Sequence, residues 1–319
     1  MSADLSAPDY ARRMRLIAQH DQGGRADGVQ IMVQRGHAYV GHMFSQGFSV
    51  IDVRDPARPV TVAHIQAPPN TWNIHLQAHD DLMLVVNARD MFAAAEFQDE
   101  RAYYSGSIGA KTGIATMGDT DARNWTAGMT VYDVSRPAEP RQIGFLPIEG
   151  GGVHRIWYTG GRWAYVSALL NGFSDYILLT IDMADSTQPR EAGRFWLPGM
   201  NVAAGETPPW PDTRRCGLHH AIVHGETAYA AWRDAGMAIV DVSDRAAPRL
   251  LTHRNCRPRS AAARIIAYLC PIATCWSWST RRCSTIRRTG SNSSGSWTSA
   301  SLPIRSVSRR SRRPPKRTT

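Results

Sequence analysis

The chain has 319 residues and a formal net charge of +10. The excess charge sits at one end: residues 245–319 hold 17 Arg plus Lys and no Asp or Glu, which leaves residues 1–244 with 20 basic and 27 acidic residues, a net of −7. A uniformly basic nucleic-acid-binding domain is thereby excluded for the front part.

Residues 1–26 form an N-terminal segment. Its start, "MSADLSAPDYARRMRLIAQHDQ", lacks an apolar core of signal-peptide type and a spanning stretch. Only Cys216 lies in the acidic part, and the remaining cysteines form no C-x-x-C pair. These features predict a reduced, cytoplasmic protein with no membrane segment.

From residue 27 to 253 one pattern recurs four times: a β-rich run, an Asp, then a turn ending in Pro. The copies are "FSVIDVRDPARPVTVAHI", "MTVYDVSRPAEPRQIGFL", "ILLTIDMADSTQPREAGRF" and "MAIVDVSDRAAPRLLTH". Upstream of each lies a second hairpin-like stretch, as in "GVQIMVQRGHAYVGHMFSQG" and "GLHHAIVHGETAYAAWRDAG". Each unit therefore predicts four antiparallel strands, which is the size of a propeller blade. The fold expected is all-β: a β-propeller of about four intact four-stranded antiparallel blades, incomplete, with an irregular basic tail. Two insertions interrupt the spacing, residues 91–125 and 198–216. The repeat residues Asp52, Asp133, Asp182 and Asp241 are expected to be structural, because a carboxylate closing a strand can accept the amides of the turn that follows.

The runs "SVIDVRDPARPV", "TVYDVSRPAEP" and "AIVDVSDRAAP" resemble the LVIVD repeat, and the resemblance covers residues 28–253. It implies a β-propeller and little about chemistry. The third copy, "LTIDMADSTQP", departs most from the pattern.

Residues 254–319 read differently. The period-two pattern stops, acids vanish, and Arg, Ser, Thr, Cys and Trp dominate. Moved back one nucleotide, the codons behind Trp276–Ser277 and Trp278–Ser279 both encode Val, and Cys275–Trp276 encodes Leu. That restores a strand-like run, so the tail reads as an out-of-frame, disordered segment. Nucleic acid becomes a partner only if the basic tail is native.

Alignment of the units places His75 in "NIHL", His154 in "GVHR" and His219 in "GLHH" at one repeat position, where the first blade carries Val29 and Gln30. Innermost strands line a propeller's channel, so these histidines are expected at one channel mouth. Three converging imidazoles could hold a divalent transition metal. The competing reading is that repeats copy a hydrogen-bonding residue. His220, Arg155, Trp157 and Trp72 are expected nearby as ligand-binding residues. Arg155 is expected to meet either an anionic ligand or a carboxylate of the next blade. The function expected is a ligand- or protein-binding scaffold. The alternative is a metal-dependent enzyme (hydrolase, lyase or oxidoreductase) built on the histidine cluster.

Overall fold

The structure is a computed structural model that describes residues 14–90, 124–211 and 214–255, together with the backbone of 267–269 and 276–278. All of these fall in the unit Met1–Cys283. The remaining positions, including most of the 91–125 insertion and of the tail, lie outside the described residues.

The first blade is a four-stranded meander, β1 (Gly28–Gln34), β2 (His37–His42), β3 (Phe48–Asp52) and β4 (Val60–Ile65). A two-residue strand, β5 (Thr71–Trp72), precedes the second blade, which comprises β6 (Leu76–His79), β7 (Leu82–Arg89), β8 (Gly128–Asp133) and β9 (Arg141–Pro147). The third blade holds β10 (Gly150–Trp157), β11 (Trp163–Leu170), β12 (Ile177–Asp182) and β13 (Arg190–Phe195). The fourth holds β14 (His220–His224), β15 (Thr227–Trp232), β16 (Gly236–Asp241) and β17 (Arg249–Arg254). Every pairing within the blades is antiparallel. The second and third blades are not separate sheets: Gly152 pairs with Ala88 and joins them into one nine-stranded sheet. Gly152 permits this approach. Its φ is +105°, and a Cβ there would run into Asn87 O and Ala88 Cα.

Alternation explains the packing. On β7, Met83 and Val85 face the first blade and join Tyr39, Phe48 and Val50. Leu84 and Val86 face the other way, into a core that runs through Ile156, Val166 and Leu179 to Trp232 and Val240. Both faces of the strand are covered, so β7 reads as a near-continuous apolar run. Full burial of a Leu or Met side chain contributes about 1.5–3 kcal/mol, and Met83 and Leu84 are both 0% exposed.

Two short strands, β18 (Ala267–Leu269) and β19 (Trp276–Trp278), pair antiparallel within the segment expected to be irregular. Tyr268, Trp276 and Trp278 are aromatic residues of the kind enriched in strands. No helix among the described residues is long and apolar enough to cross a membrane.

Candidate functional site

The repeat Asp fixes the register between blades, because His37, Leu82, Trp163 and Thr227 each lie opposite one of them. Four positions further along these second strands stand Gly41, Val86, Ser167 and Ala231. Their partners are Gln30, Arg155 and His220 on the innermost strands and, immediately before β6, His75, whose carbonyl accepts the Val86 amide. This layer corrects the sequence alignment by one residue: His75 matches Arg155 and His220, and Gln30 is the first blade's member. His154 and His219 occupy the preceding layer. In β10 a β-bulge between Val153 and Arg155 makes His154 the extra residue, whereas in the regularly paired β14 His219 immediately precedes the strand.

The histidines accordingly associate as two pairs. The rings of His154 and His219 are 5.0 Å apart, and those of His75 and His220 are 5.6 Å apart. Among the described residues, no three His, Cys, Asp or Glu side chains form a group able to hold a metal ion. Hydrogen bonding explains the difficulty for His75. The Ile156 N–H donates to His75 Nδ1 at 3.2 Å, so a neutral His75 carries its proton on Nε2, where it has no lone pair for a metal. His220 Nε2 lies 3.2 Å from Ile156 O, an acceptor, and therefore donates. The backbone N–H and C=O of one β10 residue, Ile156, are thus each engaged by an imidazole of a flanking blade.

A relay between blades emerges. Gln30 Oε1 accepts the amide of Leu76, the residue after His75, at 2.8 Å. His75 accepts the amide of Ile156, the residue after Arg155. At the next junction the layer holds an arginine, which has donors only. Arg155 is partly buried, and its Nε has no hydrogen-bond partner. Among the described residues no carboxylate pairs with it, and burial alone pulls its pKa below the usual arginine range.

Burial and positive charge hold the imidazoles neutral. His75 is pushed well below its ordinary pKa by burial, then by Arg155, His220 and His219. His154 is pushed well below by burial, then by Arg233, His219, Arg155 and Arg215. His220 falls to about 4 through burial and Arg155, with the Ile156 carbonyl opposing. His154 Nε2 is buried with no hydrogen-bond partner. Trp157 donates to Val223 O at 2.9 Å and sets its ring 6.2 Å from that of His220. Trp72 is buried in the core between the second and third blades.

The 198–216 insertion is anchored by Glu206, whose carboxylate accepts the amides of Gly199 at 2.7 Å and Asn201 at 3.1 Å and the Trp196 indole N–H at 3.2 Å. Its far end carries Arg215, ion-paired with Asp175 at 3.0 Å, and buried Cys216, whose thiol burial pushes up to about 12. The acidic and tyrosine residues of the 91–125 insertion lie outside the described residues.

The repeat Asp oxygens are engaged locally. Asp52, Asp133, Asp182 and Asp241 each accept the amide two residues on, from Arg54, Ser135, Ala184 and Ser243, at 2.9–3.0 Å. Each also pairs with an arginine: Arg54, Arg141, Arg162 or Arg249. A second Asp three residues later repeats the device. Asp55, Asp185 and Asp244 accept the amides of Ala57, Thr187 and Ala246. The D-x-x-D spacing in "DVRD", "DMAD" and "DVSD" was the available signal for it.

Sequence reasoning also missed Asp27, His42 and Ser49. His42 Nδ1 lies 3.0 Å from Asp27 Oδ1, and His42 Nε2 lies 2.8 Å from Ser49 Oγ. The order mimics an acyl-transfer triad, but Ser49 and His42 are 0% exposed, so no substrate reaches the hydroxyl. Asp27 also accepts the amides of Phe44 and Ser45 at 2.6 Å. The network clamps the loop between β2 and β3.

The LVIVD repeat matches residues 23–66 and 221–254, which are the first and fourth blades. No curated protein sequence matches the chain. Among solved structures, a provisionally assigned 6-phosphogluconolactonase from Bacteroides fragilis is 11% identical, with a TM-score of 0.51 over 80% of this chain and 63% of that one. BamB from Moraxella catarrhalis is 7% identical, with a TM-score of 0.40 over 72% of this chain and 49% of that one. The periplasmic gluconolactonase PpgL of Pseudomonas aeruginosa is 13% identical, with a TM-score of 0.43 over 69% and 54%. The chain thus spans about half to two-thirds of the length of these structures. The chain carries LVIVD repeats and has a β-propeller fold.

Proposed function

We propose that this LVIVD-repeat propeller binds a small polar ligand where the inner strands of its second, third and fourth blades begin. The observation that carries the reading is the layer His75–Arg155–His220, polar and cationic inside an otherwise apolar core, with Arg155 and His220 still partly accessible. A core of this kind loses stability by burying an arginine without a carboxylate, and ligand binding is a reason to keep one. Trp157 supplies an aromatic wall beside His220.

A thermal-shift panel of small polar metabolites tests this. A ligand that raises the melting temperature of the wild type, and loses that effect in His220→Gln and Trp157→Leu, supports the site. Stabilisation that survives both substitutions places binding elsewhere and removes the reading. Treatment with EDTA is expected to leave the midpoint unchanged. A drop that zinc reverses would instead favour a metal-dependent protein.

A further inference from the structure

We propose that Arg155, with His154 and His75, holds an anionic group, a carboxylate or a phosphate, and that this group is the recognition element of the ligand. The inference rests on the preceding reading that the inner-strand layer binds a small molecule.

Four observations lead to it. At two blade junctions the equivalent side chain, Gln30 or His75, accepts an amide from the next blade. Arginine cannot make that bond, so the blade-linking role that explains Gln30 and His75 does not explain Arg155. Arg155 Nε is buried and unpartnered, and so is the adjacent His154 Nε2, the two side chains being set at the β10 bulge. Bulges re-aim side chains in this way beside binding sites. His75 presents a protonated Nε2, fixed by the Ile156 amide on its other nitrogen. It is a donor, as an anion requires. Finally, among the described residues the formal charges that shift His75 and His154 come from guanidiniums: Arg155 acts on both, and Arg233 and the Asp175-paired Arg215 act on His154. Such a field repels a metal cation and favours an anion. A planar guanidinium offers the paired donors that match a carboxylate or phosphate edge.

The experiment uses the full chain. Melting temperature is measured in sodium phosphate, in sodium succinate and in sodium chloride at matched ionic strength. Phosphate or succinate is expected to raise the midpoint by roughly 3 °C or more over chloride. Which of the two acts tells phosphate from carboxylate recognition. Arg155→Met is expected to abolish that rise. It is also expected to leave the chloride midpoint equal or higher, because an uncompensated buried charge is gone. Arg155→Gln serves as the second variant if the methionine form aggregates.

The proposal is overturned by any of three results. The wild type shows no shift beyond chloride. The shift survives in both variants. Or both variants melt far below the wild type in chloride, which would give the arginine a structural role. If neutral metabolites stabilise the wild type through His220 while both anions fail, the ligand-binding reading stands and the anion proposal alone falls.

Discussion

Asp241 and its counterparts show how one carboxylate can define a repeat without doing chemistry. Its Oδ1 takes the Ser243 amide and its Oδ2 takes Arg249. The Ser243 hydroxyl and amide, then Arg249, hold its carboxyl at about 2. An amide oxygen can accept the same turn N–H, so Asp241→Asn is expected to melt close to the wild type, whereas Asp241→Ala melts lower. If Asn proves as damaging as Ala in thermal melts, the ion pair carries the effect instead. The histidines act in the same direction but in a higher pH window. His220 titrates at about 4 in the fold against a reference of 6.5. Between those values the unfolded chain takes up a proton that the fold refuses. Stability is therefore complete above pH 6.5 and falls as pH drops toward 4, by on the order of 3 kcal/mol for His220 alone. His75 and His154 shift the same way. The aspartates contribute separately: their stabilisation is present above the reference value of 3.8 and is lost as pH falls toward 2. Urea unfolding at pH 7.5, 6 and 4.5 should show a steady loss that is shallower in His220→Gln. A flat profile across that range would mean that the imidazoles take up protons as readily in the fold as in the unfolded chain.

At the scale of elements, small residues let one blade seat on the next. Gly144 on β9 faces Ser186 O and Thr187 O, and Gly193 on β13 faces Arg245 O and Ala246 O. These are the Asp turns of the following blades. Register places Ala63 and Thr252 at the same position in the first and fourth blades. A Cβ on Gly193 would overlap a backbone carbonyl that cannot rotate away. Gly193→Ala is thus expected to cost about 1–3 kcal/mol, read as a lower melting temperature. A neutral substitution would show that the third and fourth blades are not seated as described. The blades themselves were legible in the sequence because the Asp-turn-Pro unit is local and recurs. The layer Gln30–His75–Arg155–His220 was not, since strand pairing sets which residues share a level, and the bulges at Gly28/Gln30 and Val153/Arg155 alter that pairing in two blades without disturbing the apolar pattern. Arg155 was legible as a candidate ligand-binding residue beside a histidine, but not as a member of the layer that holds His75 and His220. The Asp27–His42–Ser49 network was hidden for another reason. Its members belong to no recognisable spacing motif, and His42 and Ser49 meet only when β2 and β3 pair.

Across the whole molecule the first blade differs from the rest. One face of it packs on the second blade through Tyr39, Phe48 and Val50. The other face carries Ala38, Val40, Ile51 and Val53 and, with Ile31 of β1, lines a groove of about 330 Å³. Along β1, Ile31 is 59% exposed and Val33 63%. By contrast β11, in the third blade, has Ala164, Val166 and Ala168 almost fully buried between covered faces. Local opening costs least where few apolar contacts must break. Native-state hydrogen exchange is therefore expected to run at least about tenfold faster over Gly28–Gln34 than over Trp163–Leu170. Ile31→Thr and Val33→Thr should change unfolding free energy by no more than about 0.5 kcal/mol, as exposed positions do. Comparable protection in the two strands, or a large loss from either substitution, would show that the outer face of the first blade is packed in solution. The result bears on function as well. Gln30 lies on β1 and holds the Leu76 amide beside His75. A strand that opens readily would loosen that bond first, and ligand binding would then slow exchange at Gln30 and Leu76 more than at the outer strand β4.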